Sequence, residues 1–537
     1  MDCRQRRSAR RRQVVESDAA SRPFSSLCRT ALLSRYGILF FALVLSAGCQ
    51  ATEASPVLPA QVTIAFPEGT GLTAESGAGQ VARSLALEGL TSLAPDGRPT
   101  ARLASEWKWL DETTLQVTML PGLTFHNGEK LDAARAATIF REFVKSSRQR
   151  ERYPALTDVT SIEARSDTEL VFTLARHSWW LPEDLSITLN IAQANKTPIG
   201  TGPYQIVEDN ESGRLLQRFE RYHAGKAGIP RVTVRTESTL RTAWASLLRG
   251  DVDVVVDLPP DTVELIQNES VRIMAFQRPY QYLIGLNLRL PKFADPRVRQ
   301  ALNMAINRAA IVENVLKGSG APSSGPIWYR HWAADSSAAI PYAPERARAL
   351  FQESGLNIAS SADPRQAPAR LRITCLVPEG FIVYEHLALE VQRQLSDVGV
   401  DIRFDVQPVM TYEARLDARD FEAAMVDITS GFSLSRSSVF WRSPRRADSM
   451  DSFGYENPET ESLFEELRAA TSDATVRSVT QRLQDAFRRN PPAIFLAWNE
   501  RARTFRGDFQ IKTQPGTDPL PRLWEWGAQL SEPTAAR

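Results

Sequence analysis

Cysteine is nearly absent. Four occur in 537 residues, at positions 3, 28, 49 and 375, and the first three fall within an arginine-rich N-terminal stretch. A chain that loses that stretch keeps Cys375 alone, which excludes an internal disulfide and a Cys/His metal cluster. Cys375, inside the strand-like run 371–377, reads as a small buried hydrophobe. Histidine is scarce too: His126, His177, His223, His331 and His386 are too scattered for a metal centre or a nucleophilic triad. G-x-S-x-G and H-E-x-x-H are missing, so paired carboxylates are the one catalytic arrangement that this acid-rich composition leaves open. Past residue 45 no apolar run approaches the ~20 residues that a spanning helix needs.

The N-terminus carries the address. Residues 1–36 hold nine arginines, and no lysine precedes position 50. An apolar run at 38–45 follows, then Ser46-Ala47-Gly48-Cys49. A charged leader, a short apolar core and small residues describe a signal peptide rather than a membrane span. The junction resembles a bacterial lipobox, in which Cys49 is lipidated and starts the mature chain. That implies a periplasmic or cell-surface protein held to a membrane by its N-terminal lipid. The usual leucine three places before the cysteine is Ser46 here, with Leu45 one step earlier, and a plain secretory signal is the alternative. The first 49 residues take nine of the 64 basic and three of the 63 acidic residues, leaving 55 against 60. The resulting charge near −5 argues against a nucleic-acid binder. Roughly 490 residues are too many for one core, so two or three domains are expected.

The most informative stretch runs from 283 to 320. Ile284, Leu286 and Leu288 alternate with smaller or polar positions, as in a half-buried strand. Asp295-Pro296 joins an N-cap to proline at the first helical position, where its missing N–H costs nothing. Val298, Leu302, Ala305 and Ala309 then share one helical face, and Gly318 supplies the stop. Residues 61–66, 115–120, 170–174 and 494–498 read as strands, and 239–249 as a helix ending at Gly250. His126 precedes Asn127-Gly128, a turn signal, and reads as structural. Strands and helices intermingle throughout, so the fold class is α/β.

The wording of the 283–320 stretch adds more. Asn287, Arg289, Pro291, Phe293, Asp295, the run 297–302 (Arg-Val-Arg-Gln-Ala-Leu), Ala305, Ile306 and Arg308 resemble the signature of the solute-binding proteins that serve ABC importers of the oligopeptide, dipeptide and nickel family. Asn307 replaces the usual aspartate. Residues 103–107, 125–128, 200–204, 342–355, 420–422 and 455–458 resemble further blocks of the same family, so the likeness runs from about 60 to 510. It implies a two-lobed periplasmic-binding-protein fold of the hinge-closing type II, with an extra domain inserted in the first lobe. Residues 1–49 are then signal peptide and 50–56 tether. The first lobe takes 57–84, 199–287 and 495–537, the inserted domain 85–198, and the second lobe 288–494. It also implies a monomer without cofactor or catalysis that captures a peptide or another small polar solute and hands it to permease subunits. A sensing or chaperone-like binder and a hydrolase are the alternatives.

Site residues come from the same resemblance. Glu75-Ser76-Gly77 lies where family members present backbone and a carboxylate to ligand, with Glu75 as a cation partner. Peptide binders carry a D-F-D…W-x-A-D segment whose later aspartate meets the peptide amine. Aligned from Asp420, this chain has Thr429, Ser430 and then Gly431 at that aspartate's place, so the usual anchor is missing. Asp427 substitutes only with a remodelled loop. Residues 433–442, including Arg436 and Trp441, read as a hydroxyl-rich loop suited to a carboxylate, phosphate or sugar, or as solvated surface. Trp498, like Trp179 and Trp180, either stacks on ligand or fills core.

Overall fold

The computed structural model describes residues 60–67, 77–191, 197–210, 213–258, 271–356, 371–429, 431–443, 445, 449–506, 509–512 and 516–528. Cys49, Glu75, Ser76 and Ser430 lie outside the described residues.

A mixed sheet of 11 strands organises the molecule. From one edge its order is Val400–Gln407, Leu371–Pro378, Ala423–Ile428, Val271–Leu286, Ala493–Arg506, Val254–Leu258, Gln61–Pro67, Arg231–Glu237, Gly213–Arg218 and Tyr204–Asn210, with Gly320–Pro322 added against Ala493–Arg506. In one half Gln61–Pro67 pairs in parallel with Arg231–Glu237 and Val254–Leu258. In the other half Leu371–Pro378 pairs in parallel with Val400–Gln407 and Ala423–Ile428. The halves are joined by the two longest strands, of 16 and 14 residues. These run antiparallel, and their register shifts between Gln277 and Gln281. Pro279 sits in that gap and has no N–H to give the ladder. Among the described residues the chain thus crosses between halves on these two strands, whose ladder is interrupted at Gln277–Gln281 and shifts again between Tyr282 and Leu283.

Helices cover the faces that the sequence leaves apolar. Pro296–Met304, Pro344–Glu353 and Ile382–Ser396 enclose a core with Ile284, Leu302, Phe351 and Leu387. On the opposite half, Ala78–Ala86 packs over Ile64, Val234 and Phe505, while Leu240–Arg249 packs over Val255. A separate antiparallel sheet of four strands runs Ala104–Trp109, Thr114–Met119, Glu169–Leu174, Val159–Ala164. Thr114–Met119 buries every second residue, as its alternating sequence predicts. Helix Ala133–Lys145 lies against this sheet, with Asp132 accepting the Arg135 N–H at 2.9 Å as its cap. One core cluster joins Phe140, Phe172 and Trp180 of this region to Trp441, Phe453 and Phe487 of the Leu371–Ile428 half. Across the same boundary Arg468 meets Asp158 at 2.7 Å, and the Trp332 N–H donates to the Asp96 carbonyl at 2.9 Å.

Local expectations meet two corrections. Asp295 caps its helix through the Arg297 N–H at 2.8 Å, and Gly250 and Gly318 adopt φ of 82° and 79°. The helix expected to run through Ala309, however, ends at Met304. Asn307 accepts the Ala310 N–H at 3.0 Å and starts a new turn, while Arg308 turns inward to the Ser323 and Asn303 carbonyls. Residues 433–442 are not a solvated loop. They form helix Leu434–Trp441, capped by Ser433 on the Arg436 N–H at 3.1 Å. Ser435, Ser437 and Ser438 are buried because their hydroxyls find acceptors inside the protein, on Asp184, the Pro326 carbonyl and the Ser435 carbonyl. Cys375 is fully buried, as expected. His126 is also structural: its ring nitrogens meet the Gly202 carbonyl at 3.0 Å and the Gly200 N–H at 3.3 Å.

Candidate functional site

A cavity of about 850 Å³ opens where the crossing strands, helix Ala78–Ala86 and the Leu371–Ile428 half converge. Gln80 and Ser84, four apart, project from one helical face into it. Gly77 precedes that helix in close contact with Phe66: a Cβ there would stand 2.5 Å from the phenyl ring. Gln277, Arg278 and Tyr280, around the register shift, line another side, and the far half contributes Thr429 and Phe432. The short strands Thr91–Leu93 and Pro99–Ala101 pair and set Ser92 Oγ 2.8 Å from Thr100 Oγ1. Ser186 and Thr188 extend this hydroxyl wall.

Charge enters the cavity mainly as balanced pairs. Glu88 is 4% exposed and lies 2.7 Å from Arg102 Nε. It also accepts from Tyr222 Oη at 2.9 Å and Thr201 Oγ1 at 3.0 Å, with His223 Nε2 at 3.2 Å. Burial opposes ionisation, yet the His223 contact and the Arg102 charge hold the Glu88 carboxyl below its ordinary range. Arg102 also donates to Tyr222 Oη at 3.0 Å, and its side chain is 31% exposed to the cavity. Arg503 grips Asp518 through Nε and Nη2, at 3.0 and 2.6 Å, over the Phe276 ring. Arg522 grips Glu525 at 2.8 and 2.6 Å. Arg278 lies 4.4 Å from the Tyr280 ring centroid. Each lining carboxylate among the described residues is therefore already matched to an arginine.

The residues singled out from sequence divide. Gly77 and Thr429 line the cavity. Gly431 stands beside it with φ of 77°, its N–H donating to the Pro279 carbonyl at 3.2 Å. Asp427 sits on strand Ala423–Ile428 in register with Tyr282 and interacts with Tyr384, on the helix-covered face. Arg436 lies over the Phe440 ring and reaches the Arg152 carbonyl. Trp441 is fully buried against Phe453 and Phe495. Trp498 is buried one layer behind the wall, edge-on to Trp328, which packs against Phe432. Arg102 and its buttress escaped the sequence reading. Arg102 meets positions 88 and 222, Glu88 in turn meets 201, 222 and 223, and no local spacing announces such a node.

A family description, bacterial extracellular solute-binding proteins family 5, middle region, matches residues 98–446. The chain belongs to that family. The glutathione-binding protein of Pectobacterium atrosepticum is 24% identical over 419 residues, covering 72% of this chain and 77% of its own. A nickel-binding protein of Staphylococcus aureus is 20% identical over 482 residues, covering 87% and 93%. Among solved structures, the oligopeptide-binding protein of Bacillus subtilis in complex with a nonapeptide superposes with a TM-score of 0.71 at 18% identity, over 88% of this chain and 100% of that one. NikZ from Campylobacter jejuni in complex with Ni(L-His) gives 0.74 at 20%, with the same coverage. These structures share the two-domain mixed α/β fold of periplasmic binding proteins. Family 5 membership makes this a bacterial extracellular solute-binding protein. Its relatives are binders rather than enzymes.

Proposed function

We propose that this family 5 protein is a non-catalytic, monomeric clamp. It closes over one small polar solute, a peptide among the possibilities, and delivers it to an ABC permease while tethered to a membrane through lipid on Cys49. The observation that carries the reading is the cavity of about 850 Å³ lined from both halves of the sheet and by the strand that joins them. In this reading residues 57–84, 199–287 and 495–537 form the first lobe, 85–198 a domain inserted in it, and 288–494 the second lobe. The bend lies at 277–281, where the ladder is broken, and closure follows from tighter binding to the closed state.

The wall chemistry supports a solute with hydroxyl or acidic groups over one that relies on a free amine. Ser92, Thr100, Ser186 and Thr188 offer hydroxyls, Arg102 offers a guanidinium held by Glu88, and the described carboxylates are already paired. Relatives bearing names for glutathione and nickel fit a family whose cargo varies while its frame persists. Native mass spectrometry of protein taken directly from its own host tests the reading. A retained small molecule that also raises the melting temperature is expected. Bare protein, together with no thermal shift across a broad panel of peptides, organic acids and sugars, would sink it.

A further inference from the structure

Glu183 and Asp184 belong to no part of the cavity lining described above. They end the short helix Leu181–Asp184 and are 3% and 4% exposed. Among the described residues neither forms an ion pair. Their cross-boundary partners lie some 250 positions away, at the start of helix Leu434–Trp441. Glu183 Oε2 lies 2.6 Å from Ser433 Oγ and accepts the Ser435 N–H at 3.3 Å. Asp184 Oδ1 lies 2.7 Å from Ser435 Oγ, while its Oδ2 accepts the Ala155 N–H at 2.8 Å. Two neighbouring acids are thus shut away from water exactly at the boundary between residues 85–198 and the second half of the molecule.

The groups around them do not supply a matching cation. From the segment before 154–158 come Arg152 and Tyr153. Asp158, at the end of that turn, is taken by Arg176 and Arg468, each at 2.7 Å. From helix Leu434–Trp441 comes Arg436, stacked over Phe440 and bound to the Arg152 carbonyl at 3.5 Å. It attracts Asp184 only weakly against the cost of burial. Strand Thr91–Leu93 offers the Thr91 hydroxyl, already donating to the Pro182 carbonyl. An ionised carboxylate in such a place is costly unless paired. Burial pushes Glu183 up to about 7 and Asp184 up to about 8, against the pull of the serine donors.

We infer that this contact is a proton-operated latch: protonated Glu183 and Asp184 hold residues 85–198 against helix Leu434–Trp441, and their ionisation lets the two part. The inference rests on the clamp reading, since it needs an open form in which the contact is broken. In that form both carboxyls meet water and titrate in their ordinary range. Closing raises them, so the closed form binds protons that the open form lacks. Closure is strongest in acid, weakens as pH rises above the ordinary carboxylate range, and has lost this contribution once pH passes about 8. Solute capture then carries proton uptake with it.

Pulsed electron paramagnetic resonance tests this, with spin labels carried on noncanonical residues at the exposed positions Lys108 and Gln352. The closed-to-open ratio of the solute-free protein is expected to fall by about tenfold or more between pH 6 and pH 8.5. The double variant Glu183→Gln/Asp184→Asn should stay closed at both pH values. Ser433→Ala/Ser435→Ala, which keeps the acids and their backbone donors but removes the two hydroxyl partners, should open already at pH 6, and it preserves the test if the amide variant does not fold. A wild-type distance unmoved by pH, but shortened by a low-molecular-mass yeast-extract fraction, overturns the latch and leaves the clamp standing. A pH response that survives in the amide variant also overturns it. A distance that moves with neither pH nor extract removes latch and clamp together.

Discussion

Arg102 owes its orientation to Glu88, and in the proposed clamp this pair is what the hydroxyl wall presents to an acidic group. Arg102→Met is expected to weaken binding of the retained solute by about 10- to 100-fold, the scale of a hydrogen bond to a charged group, as read by isothermal titration calorimetry. Wild-type affinity in that variant would show that the pair is only scaffolding. Trp441 gives the opposite contrast. Buried with Phe453 and Phe495, it should cost about 3–5 kcal/mol when cut to alanine, while Trp441→Phe should leave solute affinity unchanged. Urea unfolding and calorimetry on the two variants separate stability from binding. Tryptophan alone gave no means to tell a core residue from a stacking platform. Its neighbours at 453 and 495 are far away in sequence and meet it only through the fold.

At the scale of elements, capping and alternation were readable because they are local. Asp295 caps the helix expected of it, the helix read over 239–249 runs Leu240–Arg249 with Thr239 as its cap, and the period-two strands lie where their residues alternate. Helix Leu434–Trp441 was missed because four serines in ten residues suggest solvent. Ser438 bonds back to the Ser435 carbonyl, but the acceptors of Ser433, Ser435 and Ser437 come from other elements, which no window of the sequence contains. The same holds for the ion network on helix Pro458–Arg468. Arg442 is 1% exposed and reaches Glu461 and Glu465, while Arg468 reaches Glu465 and Asp158. Burial opposes ionisation of Glu465, but Arg442 and Arg468 together draw it down to about 2. Because the folded value is depressed, this stabilisation is present above the ordinary glutamate range and fades as pH falls from about 4.5 towards 2. Glu465→Gln takes away the carboxylate that Arg442 and Arg468 share, leaving them Glu461 and Asp158, and should cost about 1–3 kcal/mol at pH 7. Urea melts at pH 7 and pH 3 should show that penalty shrinking in acid. An equal penalty at both values would place the stabilisation elsewhere.

For the whole molecule, the family wording in residues 287–308 gave fold and broad role together, whereas the ion pairs lining the cavity are spread from position 88 to 525 and stayed hidden. Cys49→Ser should release the protein from membranes into the soluble fraction, as fractionation and blotting would show; a variant still fully in the membrane pellet would refute lipidation. The two long strands have one more effect. Because the backbone passes between halves at both 277–281 and 498–500, a protease that nicks either passage alone leaves the pieces knitted by the other strand and by the hydrogen bonds between them. A nicked molecule should therefore migrate as two bands under denaturing conditions yet elute intact from a sizing column. Severing this protein takes two cuts.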